Sequence, residues 1–352
     1  MYTDRLDLPS IELPANASRF FDSPDEALAQ PTGRVRLAWD SVDPYLYNDA
    51  FDESLVAYDD SYCTTVVDIE QRTQVPTSNY IFEQVMPFLD SPNVIDIGCG
   101  QGEFVSVLRA RAIRAVGFDP VLRAPTHSLN KRNWSSGEEA ADLYVMRCVL
   151  PHIPSPWGFL DTIGESAPDA LILIEFQRIE WILDQDVWFQ ISHDHVNLFS
   201  IDDFLARYDV PAWGTFSNGE WGWVLIQASS RRVAELADCS YLERLSDLYD
   251  YRAAILHRAA GREAVVWGAA GKGIVLVHAL VSAGADVPMA IDADLNRWER
   301  YLDVSGVRVS SPLEALAHLN PKIPVLVANP NHFHAIAEKY GDQLDIRLPG
   351  DL

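Results

Sequence analysis

The feature that most constrains this chain is an apolar run that breaks into glycines: Asn93-Val-Ile-Asp96-Ile-Gly98-Cys99-Gly100-Gln-Gly102, followed by EFVSVLRARA. The run predicts a buried strand, and the apolar spacing after Gly102 predicts a helix. Glycines between the two let the backbone turn sharply and let a ligand lie against it. The helix start adds unpaired N–H groups. The alternation then continues. AVGFDP (115–120), DLYVMRCVL (142–150) and ALILIEF (170–176) predict strands, SPWGFLDTIGES (155–166) a helix, and WGWVLIQAS (221–229) a late closing strand. With YIFEQVMPFL (80–89) as a preceding helix, the pattern predicts a parallel, doubly wound α/β sheet.

The loop reads G-x-G-x-G, not the G-x-G-x-x-G of dinucleotide folds. No pyrophosphate is required at such a loop. Asp96, two residues before Gly98, can engage the ammonium of an amino acid ligand. Asp119 ends the next strand, 21 residues after Gly98, where a carboxylate can accept both hydroxyls of a ribose. An amino acid joined to a nucleoside points to S-adenosylmethionine. The bland alternative is a tight turn that binds nothing.

A second alternation begins at Glu263: EAVVWG, the turn AAGKG, the helix IVLVHALVSAG and the strand VPMAID, then SPLEALAHL, IPVLVA and HFHAIAEKYG. Gly268, Gly271, Lys272 and Gly273 form its glycine turn. Lys272 at a helix N-terminus suits a phosphate. A turn used only for packing, or a dinucleotide site in a nicotinamide-dependent oxidoreductase, are the alternatives. The expected organisation is an N-terminal domain (1–75), a cofactor domain (76–230), connecting helices (231–260) and a second Rossmann-like domain (261–352).

Charge narrows the partners. With 27 basic against 51 acidic residues, a net −24, the field repels nucleic acid and anionic lipid. A small-molecule substrate is the expected partner; the oligomeric state is left open. No run of about 18 apolar residues suits a membrane span, and the N-terminus lacks a signal pattern. Cys63, Cys99, Cys148 and Cys239 form no CxxC pair, which favours a reducing cytoplasm and argues against a cysteine zinc site.

Seven stretches, in order, carry a resemblance: NDAFDESLVAYDDSY (48–62), VIDIGCGQGEF (94–104), VGFDP (116–120), MRCVLPHIPSP (146–156), IEFQRIEWIL (174–183), HDHVNLFS (193–200) and VVWGAAGKG (265–273). Together they resemble the three-domain sugar C-methyltransferases that act on nucleotide-linked deoxyketosugars in antibiotic pathways. The resemblance implies a class I methyltransferase Rossmann-like core between a small N-terminal domain and a C-terminal Rossmann-like domain that helps hold the nucleotide-sugar. It places Cys99, Pro120 and Arg147 with the cofactor loop, and Gly268, Gly271, Lys272 and Gly273 with the substrate; Glu175 joins the substrate side because it ends a strand, at the edge where α/β sheets bind ligands. It also carries departures. Only Cys63 lies where the family has zinc cysteines, so no zinc is expected. Ser192 stands where a tyrosine is usual, Pro151 replaces an acid, and the stretch from Asp119 to Asp142 is short for one that contacts adenine.

C-methylation beside a ketone needs a base for an acidic C–H proton, and histidine is suited to that near neutral pH. The resemblance makes His195 the general base and Asp194 its partner. It places His152 and Tyr62 on the substrate oxygen, with Ser192 able to donate one hydrogen bond. On the residues alone, His193-Asp194-His195 equally resembles a metal-ligand cluster, or turn residues satisfying backbone groups. If a strand, it would put both histidines on one face. Trp181, Trp188, Trp213, Trp221 and Trp223 either line an acceptor pocket or cap the sheet. N- or O-methylation of another natural product, and cofactor binding without catalysis, remain as alternative functions.

Overall fold

A computed structural model describes residues 3–40, 43–59, 75–90, 92–232 and 241–352. Its central element is a seven-stranded sheet in the order Ala212–Phe216, Trp221–Gln227, Leu171–Gln177, Leu143–Arg147, Asn93–Ile97, Arg114–Phe118 and Leu129–Asn130. The five strands from Asn93 to Gln177 run parallel. Trp221–Gln227 enters antiparallel beside Leu171–Gln177, and Ala212–Phe216 pairs antiparallel to it. The sheet is therefore mixed, which corrects the parallel expectation. It is a Rossmann-like α/β sheet with helices packed on both faces. The strand Ala212–Phe216 escaped the sequence reading because AWGTF is short, holds a glycine and is only half-buried.

Strands covered on both faces read as apolar runs, and alternate residues serve opposite cores. Ile95 and Ile97 face the helix Pro156–Ser166, joining Trp157, Leu160 and Ile163. Val94 faces the other way, toward Ile81 and Val85 of the helix Val75–Val85 and Phe104 and Leu108 of the helix Glu103–Arg109.

The C-terminal residues form a second, fully parallel sheet: Val309–Ser310, Ala290–Ile291, Val265–Trp267, Pro324–Val327 and Asp345–Arg347. Backbone pairing crosses the expected domain boundaries. Leu46–Asn48 pairs with Asn197–Leu198 of the central region, and Phe20–Phe21 pairs with Tyr301–Leu302 of the C-terminal one. The N-terminal strands thus join the other two parts. Among the described residues, no helix is long and apolar enough to cross a membrane.

Candidate functional site

Strand Asn93–Ile97 delivers Asp96 to the edge of the sheet where the glycine loop begins. Gly98, Gly100 and Gly102 have φ of 70°, 57° and 85°. A Cβ on Gly98 would lie 2.3 Å from Val149 Cγ2, so glycine is required there twice over. The loop is pinned to the neighbouring strand: the N–H groups of Gly98 and Cys99 donate to the Phe118 carbonyl at 2.8 and 3.2 Å. Asp119 completes the cradle. Its Oδ2 accepts the Gly100 N–H and its Oδ1 the Val121 N–H, both at 2.8 Å. Each oxygen retains acceptor capacity.

Asp96 is 2% exposed, and among the described residues no hydrogen bond reaches its carboxyl. Burial pushes it up to about 7, against the pull of Arg147 and with Asp119 and Glu175 adding to the rise. A buried acceptor without a donor fits the ammonium expected from S-adenosylmethionine, and Asp119 beside the loop fits its ribose. The other residues expected around the cofactor differ in placement. Cys99 turns toward the adjacent strand, where a Cβ on Gly117 would meet its Sγ at 2.6 Å. Pro120 is exposed. Arg147 has a side chain 10% exposed: its Nε donates to Glu175 Oε2 at 2.8 Å, its Nη1 donates to Ser78 Oγ at 2.8 Å, and its guanidinium lies over Phe104. Glu175, expected on the substrate side, is 4% exposed and also receives the Cys148 thiol at 3.6 Å. Arg147 and Glu175 thus form one nearly buried pair across adjacent parallel strands.

A second cluster is built on the segment after the 3-10 turn Trp188–Gln190. His152 Nδ1 lies 2.8 Å from the Asp194 carbonyl oxygen and 3.9 Å from its Oδ2. The rings of His152 and His195 meet edge to face with centroids 4.6 Å apart. Ser192 Oγ donates to Asp194 Oδ1 at 2.7 Å. Burial first, then the facing His152 and Lys272, pushes His195 down to about 4, with Asp194 opposing. His195 is therefore neutral near pH 7 and has a lone pair available.

His193 goes elsewhere. It is fully buried, with Nδ1 3.0 Å from the Arg34 carbonyl and Nε2 3.3 Å from the Asp52 carbonyl, and it packs on Gly33. The segment is a bend rather than a strand, so the two histidines do not share a face. Among the described residues, no group of three His, Cys, Asp or Glu side chains is arranged to hold a metal.

Tyr62 lies outside the described residues. Tyr58, in the same stretch and 42% exposed, lies beside the cluster without having stood out in the sequence. Its ring meets His152 edge to face with centroids 6.2 Å apart. Partial burial, then Asp194, Glu53 and Asp119, holds its hydroxyl protonated, well above the ordinary tyrosine range. Nothing in the spacing of NDAFDESLVAYDDSY separates Tyr58 from Tyr62.

The second glycine turn repeats the design of the first. Asp292, ending the next strand, accepts the Ala269 N–H at 2.7 Å and the Asp294 N–H at 2.8 Å. A Cβ on Gly273 would come 1.6 Å from the Gly268 carbonyl oxygen, so the turn is closed tightly. Gly271 has φ 46°, and its N–H donates to the Ala17 carbonyl at 3.0 Å. Lys272 is committed to Glu220 at 2.5 Å rather than held open for a phosphate. Glu220 also accepts from Asn329 and Asn331. Burial alone would raise the Glu220 carboxyl, but Lys272 and the two amides hold it below the usual range. Of the five tryptophans, Trp181, Trp188 and Trp223 are buried in apolar cores, and Trp213 is 53% exposed.

Residues 74–207 match the methyltransferase-domain family. No curated protein matches the chain. Among solved structures, it is similar to an S-adenosylmethionine-dependent methyltransferase from Archaeoglobus fulgidus, with 14% identity, 44% of this chain and 95% of that one covered, and a TM-score of 0.36. It is similar to the putative methyltransferase of Haloferax volcanii in complex with the Trm112 activator, at 14%, 44%, 90% and 0.36. It is also similar to the 1,6-didemethyltoxoflavin-N1-methyltransferase of Burkholderia thailandensis, at 13%, 46%, 77% and 0.32. Likenesses of that strength decide nothing about the substrate.

Proposed function

We propose that this chain, whose residues 74–207 are an S-adenosylmethionine-dependent methyltransferase domain, methylates carbon beside the ketone of a nucleotide-linked sugar or a related small intermediate. The observation that carries the reading is the contact of His152 and His195 over Asp194, with Tyr58 alongside. A reaction at nitrogen or oxygen has less need of a base built this way.

Asp96 and Asp119 would hold the cofactor by its ammonium and ribose. The bound sulfonium supplies an electrophilic methyl group, so no metal is needed. His195, kept neutral by burial, takes the proton from the carbon next to the ketone. The electron pair left on that carbon is delocalised onto the ketone oxygen. Tyr58 can donate to that oxygen as negative charge develops there, while His152, its Nδ1–H given to the Asp194 carbonyl, positions the ring of His195. Asp194 holds His152 through its carbonyl and faces the imidazolium that forms on His195. Ser192 fixes the Asp194 carboxylate. The carbon would then bond to the methyl group as the sulfur–methyl bond breaks, with S-adenosylhomocysteine as the leaving group and the abstracted proton left on His195.

Solvent deuterium exchange into a nucleotide-linked 4-ketosugar tests the base directly. The wild type exchanges the proton at the carbon beside the ketone, and His195→Gln does not. Exchange that persists in the variant would remove His195 from the role. Calorimetry with S-adenosylhomocysteine and NADPH separates the oxidoreductase alternative: the first binds and the second does not.

A further inference from the structure

Two separate segments carry the histidine pair. His152 ends the 3-10 turn Leu150–His152, and His195 lies just before the strand Asn197–Leu198. One link between the segments is the Asp194 carbonyl oxygen, 2.8 Å from His152 Nδ1. The other is a single side chain. Asn197 is 2% exposed, and its Nδ2 donates to the carbonyls of Leu150 at 3.3 Å and Ile153 at 2.8 Å. Those two carbonyls stand on either side of His152. His195 lies between Asp194 and Asn197 in the chain, so its backbone is tied to the turn both before and after it.

The N-terminal part grips the same strand from its other edge. Asn197 is the register partner of Tyr47, and the Asn48 N–H donates to the Val196 carbonyl at 2.7 Å. The strand is thus fixed independently of the turn, and the amide of Asn197 fastens the turn to it. That amide has a cost. Its Oδ1 has no hydrogen-bond partner among the described residues, and a buried acceptor left bare costs folding free energy. An apolar side chain would avoid the cost but would release the turn. What the amide N–H groups hold accounts for its presence.

We propose that Asn197 is a positioning residue: by fastening the carbonyls on either side of His152 to the strand that follows His195, it sets the edge-to-face contact of the two imidazoles. The chemistry that this contact serves rests on the ketosugar reading above; the contact itself does not.

The test is NMR of the full chain with labelled histidine rings and S-adenosylhomocysteine present, the signals assigned through His152→Gln and His195→Gln. In wild type, the ring protons of the two histidines share a nuclear Overhauser contact. At pH 6 the wild-type His195 ring, faced by His152, Asp194 and Lys272, is neutral. In Asn197→Ala the contact weakens or vanishes, and His195 takes up protons at pH 6 as burial and His152 withdraw from it. Asn197→Asp, which keeps the shape and loses the donors, behaves the same way, and thermal unfolding checks that each variant is folded. An unchanged contact and protonation state in either folded variant overturns the proposal. Deuterium exchange into the nucleotide-linked 4-ketosugar reads the consequence: kcat falls about tenfold to a hundredfold in Asn197→Ala with KM kept. Equal exchange rates in wild type and variant overturn the positioning role even where the ring contact changes. A wild type that exchanges no deuterium sinks the ketosugar reading, and the NMR result alone then decides the contact.

Discussion

At the residue scale, one physical cause acts on two groups with opposite sign. Burial disfavours charge, so it raises Asp96 to about 7 and lowers His195 to about 4. Two predictions follow from linkage. In the unfolded chain, His195 takes a proton as pH falls through about 6.5, but the folded protein refuses it until about pH 4. Its contribution to stability is complete above pH 6.5 and is lost as pH falls toward 4. Denaturant unfolding between pH 4 and pH 7 should show a shallower slope in His195→Gln than in wild type. Asp96 behaves in reverse: with its ordinary value near 3.8, its contribution is complete below that and is lost as pH rises through about 7. An ammonium brought beside it lowers its pKa again. Calorimetry of S-adenosylhomocysteine near pH 6, in buffers of different ionisation enthalpy, should therefore detect proton release that disappears in Asp96→Asn. An unchanged proton count in the variant would place the ammonium elsewhere.

At the element scale, the two glycine turns are the same device with different tolerances. Gly98→Ala forces a left-handed alanine against Val149. Its backbone cost alone is about 1–2 kcal/mol, and it should weaken S-adenosylhomocysteine binding. Gly273→Ala drives a Cβ into the Gly268 carbonyl, a backbone atom that cannot step aside. Its loss of stability should reach the upper end of about 1–3 kcal/mol, read by thermal unfolding, with S-adenosylhomocysteine affinity kept in the folded fraction. The strands bearing these turns were legible because residues buried on both faces read as apolar runs. The antiparallel entry of Trp221–Gln227 was not, since direction leaves no mark on an apolar run. The glycine loop and Asp119 were legible because spacing alone brings them together. His193 and His195 were not separable, because only the bend at 193–194 sends one to Arg34 and the other to His152.

At the scale of the whole molecule, polar contacts between distant segments shape the site, and no local pattern announces them. Lys272 and Glu220 are 52 residues apart and both nearly buried, with side chains 12% and 4% exposed. Glu220→Gln leaves the Lys272 charge without its partner. Removing one member of such a pair costs about 3–5 kcal/mol. Glu220→Gln combined with Lys272→Met should recover part of that loss, read by a double-mutant cycle in urea. Additive losses would mean the pair contributes nothing of its own. Tyr58 belongs to the same scale: it meets His152 from the N-terminal part, whose strands pair with both other parts of the chain. The described N-terminal strands are two to four residues long, and two of them, Phe20–Phe21 and Leu46–Asn48, find partners far along the chain, which no local pattern marks.

The central claim is that carbon beside a ketone receives the methyl group, with His195 removing its proton. Incubation of the full chain with S-adenosylmethionine carrying a trideuterated methyl group and a nucleotide-linked 4-ketosugar tests it most directly. A CD3 group bonded to the ring carbon next to the ketone is expected, seen by NMR in wild type and missing in His195→Gln. A CD3 group on oxygen or nitrogen, or undiminished carbon transfer in the variant, would contradict it.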